Sequence, residues 1–262
     1  MHFRYTRRMF QLNSISIYLF IWILIAPSGM ASEPSPNTSM DLVDYVRRSE
    51  TQYLAKTSYA MIEMKIERST WNRRMVMKNW GEGRDKFLAR IVEPLKERGT
   101  STLKLKDNIW NYLPKIDRIM KVPSSLMGDS WMGSHFTNDD LVKGNKIDQM
   151  YNFSLLKETP KIILIKALPK EDAATVWGKI IYKIERARKV AKTVEYFDED
   201  NELVRTISFH DIKELDGRHI PMRMIVTPRD EPNESTIISY KELSFDKPLP
   251  KGLFSVRNLK RK

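Results

Sequence analysis

Between Ser124 and Leu141 the chain reads SSLMGDSWMGSHFTNDDL, a run that holds several serine hydroxyls, one imidazole and three carboxylates. Acyl-transfer chemistry would use Ser130 or Ser134 as nucleophile, His135 as base and Asp139 or Asp140 to orient that base. Two features oppose this use. No Gly-x-Ser-x-Gly turn presents a hydroxyl, and His135 directly follows Ser134, which constrains how the two side chains could meet. A metal site would draw on His135, Asp129, Asp139 and Asp140. No His-x-x-x-His or paired-carboxylate helix pattern accompanies them, and His210 and His219 fall in strand-like stretches. The remaining reading makes the polar residues punctuation and the apolar ones the working part. Asp139 or Asn138 would cap one short helical turn and Ser124 or Ser125 another, while Gly128 and Gly133 divide the segment into two mobile pieces. Leu126, Met127, Trp131, Met132, Phe136 and Leu141 then form an adaptable apolar surface, a task that suits methionine because its unbranched thioether fits irregular partners. The same residues could equally serve as an ordinary plug of the core. This reading calls for no catalytic residue, metal or cofactor.

Such a surface needs something to cover. Upstream, DLVDYVRRSETQYLAKT (residues 41–57) places Leu42, Val43, Val46, Tyr53 and Leu54 at roughly helical spacing, with Ser39 or Asp41 able to cap the start. Beyond Thr57 the period becomes two. YAMIEMKIER, TWNRRMVMKNW, DKFLARIVE, TSTLKLKD, NIWNYLP and DRIMKV precede the Ser124–Leu141 segment; YNFSLLKE, KIILIKALP, VWGKIIYKIERA, AKTVEYFD, LVRTISFHD, RHIPMRMIVTP and STIISYKEL follow it. Nearly all are joined by connections too short for crossover helices, which predicts one large, strongly curved antiparallel sheet with a few short helices. A sheet of this size curls or closes. If it closes only partway, its concave face needs a cover, and the early helix and the Ser124–Leu141 segment are placed to supply it. Trp110 and Tyr112 are expected on the wall beneath.

The ends and the bulk properties set the setting. Arg4, Arg7 and Arg8 precede an apolar run from Ile15 to Ala26 and then small residues, the order of a secretory signal, with cleavage expected after Ala31. Pro27 and Gly29 cut that run short of the ~20 apolar residues of a membrane span. The expected organisation is therefore a signal segment at residues 1–31, a linker at 32–39 and one domain at 40–262. Removing residues 1–31 takes away three arginines and no acid, lowering the formal charge from +12 to +9. No cysteine occurs, so an exported product must be held by its own core instead of disulfides. The basic groups are scattered and form no nucleic-acid-binding motif, so the positive charge points to anionic lipid or protein surfaces, and no nucleic acid is expected as a partner.

The block NIWNYLPKIDRIMKVPSSLMGDSWMGSHFTNDDLVK, Asn108 to Lys143, resembles the outer-membrane lipoprotein-sorting protein family, exported bacterial proteins related to the periplasmic lipoprotein carrier LolA. The resemblance rests on Trp110, Tyr112 and Pro114, on Asp117 and Arg118, on the stretch from Gly128 to Phe136 and on Asn138 to Leu141. It implies a LolA/LolB-like, half-open antiparallel β-barrel covered by a helical lid, an apolar cavity for acyl chains and no enzymatic activity. It also implies a periplasmic carrier of a lipoprotein or lipid, an inner-membrane ABC or RND-type transporter as donor and a possible outer-membrane acceptor. In such carriers an arginine holds the lid closed through contacts to helix backbone; Arg118, Arg90 and Arg73 are the candidates here. The alternative use of the same fold is a periplasmic sensor or adaptor that binds a protein or peptide.

Overall fold

All thirteen period-two segments fold as strands. The computed structural model describes residues 38–260, so the expected signal segment and most of the linker lie outside the described residues. Helix α1 (Thr38–Thr51) is followed by β1 (Ser58–Glu67), β2 (Asn72–Glu82), β3 (Lys86–Glu93), β4 (Ser101–Leu105), β5 (Asn108–Leu113) and β6 (Arg118–Lys121). Short 3-10 turns and the helices α2 (Asn138–Lys143) and α3 (Ile147–Met150) fill the next stretch. Then come β7 (Tyr151–Glu158), β8 (Ile162–Pro169), β9 (Lys179–Glu185), β10 (Val190–Phe197), β11 (Leu203–Leu215), β12 (Arg218–Pro228) and β13 (Ser235–Phe245), with a final 3-10 turn at Val256–Lys260.

The strands form a single antiparallel sheet that does not close on itself. Its order is β6-β5-β4-β3-β2-β1-β13-β12-β11-β10-β9-β8-β7, so β1 pairs with β13 in the middle and β6 and β7 are the two edges. This order explains the cover. The chain leaving β6 at one edge has to reach β7 at the other, and residues 122–150 are the segment that makes the crossing.

Alternation then sorts side chains between faces. The inner face holds two clusters. Leu42, Tyr45 and Val46 of α1 pack on Ile163, Ile165, Tyr182 and Val194, while Trp131 packs among Ala60, Met64, Met77, Ala89 and Ile91. A third cluster lies on the opposite face of β3–β5, where Leu88, Leu103 and Tyr112 are covered by Leu253 and Leu259 of the C-terminal segment.

The caps correct the sequence reading. Thr137, not Asn138 or Asp139, is the N-cap of α2: its hydroxyl accepts from Asp140 N at 3.1 Å and the Asp140 carboxylate accepts from Thr137 N at 2.8 Å. This reciprocal pair satisfies two otherwise unpaired helix-start N–H groups. Asn138 has another task. It is buried and its amide donates to Leu126 O and Asp129 O, closing the loop before the helix. Neither Ser124 nor Ser125 caps its turn; the 3-10 turn at Ser124–Leu126 follows Pro123 and has no side-chain cap.

Candidate functional site

A cavity of about 320 Å³ lies between the inner face of the sheet and its covers. Its walls come from β1 and β2 (Ala60, Asn79), β10 and β11 (Val194, Tyr196, Ile207, Phe209) and β12 and β13 (Met224, Tyr240, Leu243). The end of α1 and the turn after it contribute Glu50, Gln52 and Tyr53, and the cover contributes Phe136, Asp140, Leu141 and Gly144. That volume falls in the range of small-molecule sites, ~300–1,000 Å³.

The six apolar residues expected in the lid divide into three groups. Phe136 and Leu141 line the cavity. Trp131 and Met132 anchor the lid to the sheet: Trp131 is buried, meets Phe87 edge-on at 6.4 Å between ring centroids and donates from Nε1 to Thr102 Oγ1 at 3.1 Å. Leu126 is 45% exposed and Met127 half-buried, both away from the cavity lining.

Trp110 and Tyr112 sit elsewhere than expected. Both belong to the cluster under the C-terminal segment; Tyr112 donates to Asp117 at 3.0 Å and Lys121 lies over the Trp110 ring. On a strand, adjacent residues face opposite sides, so choosing the aromatic phase of β5 chose the outer face. Asn111 holds the lid side, accepting the Thr102 hydroxyl at 2.7 Å while Thr102 accepts from Trp131.

Three arginines hold the lid backbone. Arg73 Nη1 donates to Met132 O at 2.7 Å, Arg68 Nη2 to Gly133 O at 3.5 Å and Arg205 Nη1 to His135 O at 3.1 Å. Met132 (φ 53°) and Gly133 (φ 77°) are both left-handed, an arrangement that costs free energy for methionine and little for glycine, and it turns successive carbonyls toward these donors. Arg73 was among the candidates. Arg90 instead donates to Ser101 and Asn258 O, and Arg118 is exposed on the edge strand. Arg68 and Arg205 escaped the sequence reading. Arg205 makes two 2.7 Å bonds to Asp140 at the start of α2 and lies over the adjoining rings of Trp177 and Tyr196, at 4.6 and 4.5 Å. Burial works against its charge, yet Asp140 keeps its pKa above the ordinary value.

The residues weighed for catalysis are used structurally. Ser134 is fully buried and its hydroxyl donates to Trp131 O at 2.7 Å. The His135 ring faces Thr236 Oγ1 at 2.8 Å and Glu234 at 3.4 Å, not Ser134; burial and Arg68 lower its pKa against the pull of Glu234. Among the described residues His135, Glu231 and Glu234 form the one cluster with metal-ligand spacing. Its cation position is taken by Arg68, 2.8 Å from Glu234, and the Ser69 N–H together with Arg68 brings Glu234 down to about 2. Asp129, Asp139 and Asp140 take no part in it.

The cavity also has a polar side that the sequence reading missed. Glu50, half-buried near the Tyr182 hydroxyl, is pushed up to about 7 by burial and by Asp148 and Asp140. Lys104, 2% exposed, donates to Arg84 O at 2.9 Å and is brought down to about 8 by burial and by Lys146. Gln52 Oε1 and Asn79 Oδ1 are buried acceptors without a donor among the described residues. Glu50 lies on the stripe of Leu42, Tyr45 and Val46, Asn79 is in phase with Met75 and Met77, and Lys104 shares the inward phase of Thr102.

A family model described as an uncharacterized protein matches residues 83–261, more than half of the chain. The chain belongs to that family. No curated protein matches it by sequence. Among solved structures, the chain is similar to a domain described as a putative outer membrane lipoprotein-sorting protein from Vibrio parahaemolyticus, 21% identical, with a TM-score of 0.73 over 85% of this chain and 100% of that one. A DUF1329 family protein from Desulfovibrio piger gives 20% identity and a TM-score of 0.74 over 84% and 98%. A LolA superfamily protein from Nitrosomonas europaea gives 14% identity and a TM-score of 0.66, again over 84% and 98%. This family therefore has the LolA-like fold, an open antiparallel sheet with few short helices, and the resemblance read from Asn108–Lys143 agrees with it. No helix of the described residues is long and apolar enough to cross a membrane.

Proposed function

We propose that this protein is a periplasmic carrier that holds the acyl chains of a lipoprotein or lipid in the cavity beneath the Ser124–Leu141 lid. The observation that carries the reading is the cavity itself: apolar side chains from β1 and β10–β13, roofed by Phe136 and Leu141, on a segment held to the sheet by arginine contacts to its backbone. Each methylene moved from water into such a space gains about 0.8 kcal/mol. Closed and loaded states both cover the wall, so the difference between them stays small enough for cargo to be released. The lid anchors Trp131 and Met132, the cavity-facing Phe136 and Leu141 and the rim residues Leu126 and Met127 have separate tasks here: holding, contacting and meeting the donor surface. Trp110 and Tyr112 brace the C-terminal segment.

In this reading the cargo comes from an inner-membrane transporter of ABC or RND type and passes to an outer-membrane acceptor, with the net positive charge steering the encounter in a salt-sensitive way. No covalent step or cofactor enters. The test is extraction of the purified mature protein with organic solvent and mass spectrometry of what it holds, beside an Ala60→Phe variant that fills the cavity from β1. Lipid in the wild type that is depleted in a folded Ala60→Phe supports the carrier. No lipid in either moves the reading to the sensor or adaptor class.

A further inference from the structure

A sleeve for acyl chains alone has no use for buried, unpaired polar groups. Yet Glu50, Gln52 and Asn79 line the cavity as acceptors: Gln52 is 8% exposed and, among the described residues, its Oε1 and Asn79 Oδ1 have no donor, while the half-buried Glu50 has the Tyr182 hydroxyl beside it and no ion pair. A buried acceptor without a donor costs stability, and a ligand that supplies the donor recovers that cost. The charged groups around Glu50 favour a cation. Asp148 of α3 and Asp140 of α2 are its acidic neighbours, with the Tyr182 hydroxyl beside it and Tyr196 close by. The cations on these elements are committed elsewhere: Arg84 and Arg47 to Asp148, and Arg205 to Asp140. Lys104 is the converse case, a buried ammonium on the same cavity that spends one hydrogen on Arg84 O and forms no ion pair among the described residues.

We propose that the cavity selects a lipid with a phosphoethanolamine head, its ammonium taken by Glu50, Gln52 and Asn79 and its phosphate by Lys104. A primary ammonium brings three N–H donors, one for each acceptor group. A trimethylated choline head has the charge without the donors, and a glycerol head has donors without the charge. The inference rests on the carrier reading and deepens it.

The experiment incubates the full mature protein with vesicles of equal parts phosphatidylethanolamine, phosphatidylcholine and phosphatidylglycerol with matched acyl chains, re-isolates the protein and measures the bound lipids. The expected result is at least about tenfold enrichment of phosphatidylethanolamine over either competitor, the scale of one well-placed charge-assisted interaction. Glu50→Gln, nearly the same shape, should bring the bound pool close to the vesicle composition with total lipid retained, and Gln52→Leu serves as a second variant should the first fold poorly. A wild-type pool that mirrors the vesicles, or enrichment unchanged in both variants, overturns the headgroup assignment and leaves the carrier standing. A protein that takes no lipid overturns both.

Discussion

Replacing Glu50 by glutamine should make the protein more stable, and only in one pH range. In the folded chain this carboxyl is pushed from 4.5 up to about 7, chiefly by burial. Below about 4.5 the folded and unfolded states both hold the proton, so the group does not distinguish them. As pH rises from there toward 7 the unfolded chain releases the proton while the folded one keeps it, and stability falls. Above about 7 the folded state bears the full cost of an ionised carboxylate in the cavity. A displacement of roughly 2.5 pH units at 1.36 kcal/mol each amounts to about 3 kcal/mol. Urea unfolding of wild type and Glu50→Gln at closely spaced pH values from 4.5 to 8.5 measures it directly. The difference between the two curves should open with rising pH and level off near pH 8 in favour of the variant, with a gain in thermal midpoint of about 10 °C there. Parallel curves across the whole range would refute the placement of a carboxyl here with burial and acidic neighbours outweighing its Tyr182 hydrogen bond.

The other expectations concern the lid. Arg205→Met leaves Asp140 without its guanidinium and should cost about 3–5 kcal/mol, with hydrogen exchange accelerating across residues 131–142 ahead of the strands. Trp131→Ala empties a buried site and removes the donor to Thr102 Oγ1, a loss of about 3–5 kcal/mol by denaturant titration. Thr137→Ala removes the cap of α2 at about 1 kcal/mol, detectable as a shift in denaturation midpoint without a change in slope. Ser134→Ala should cost about 1 kcal/mol through the lost bond to Trp131 O and leave lipid retention as it was, whereas an ester-hydrolysing protein would lose turnover.

How far the sequence carried depended on whether the signal was periodic. Strands such as β1, with Ile62, Met64 and Ile66 buried in alternation, announce themselves, and so does a connection rich in methionine and tryptophan between two strand series. What failed was the choice of phase. On β5 the aromatic residues drew attention to the outer face, because the cover supplied there by Leu253 and Leu259 is a long-range pairing that local pattern does not encode. Arg205 lies 65 residues from Asp140 in sequence, and only strand register brings them together. A local clue did exist. Arg205 shares its phase with the inward Ile207 and Phe209, Lys104 with Thr102, and Glu50 the apolar stripe of α1; a charge at an inward position is expensive unless paired or used. The three carbonyls offered to arginines had no such clue, since they depend on the left-handed backbone at Met132 and Gly133.

The strand order carries one more consequence. The sheet is two meanders, β1–β6 and β7–β13, sewn along a single seam where Ser58–Glu67 pairs with Ser235–Phe245. Opposite that seam, among the described residues, the covalent chain of residues 122–150 runs from one rim to the other. The lid is thus a tether as well as a roof: slackening its arginine contacts lets the rims part without breaking any strand pair, and cutting it would leave two halves still stitched through the seam.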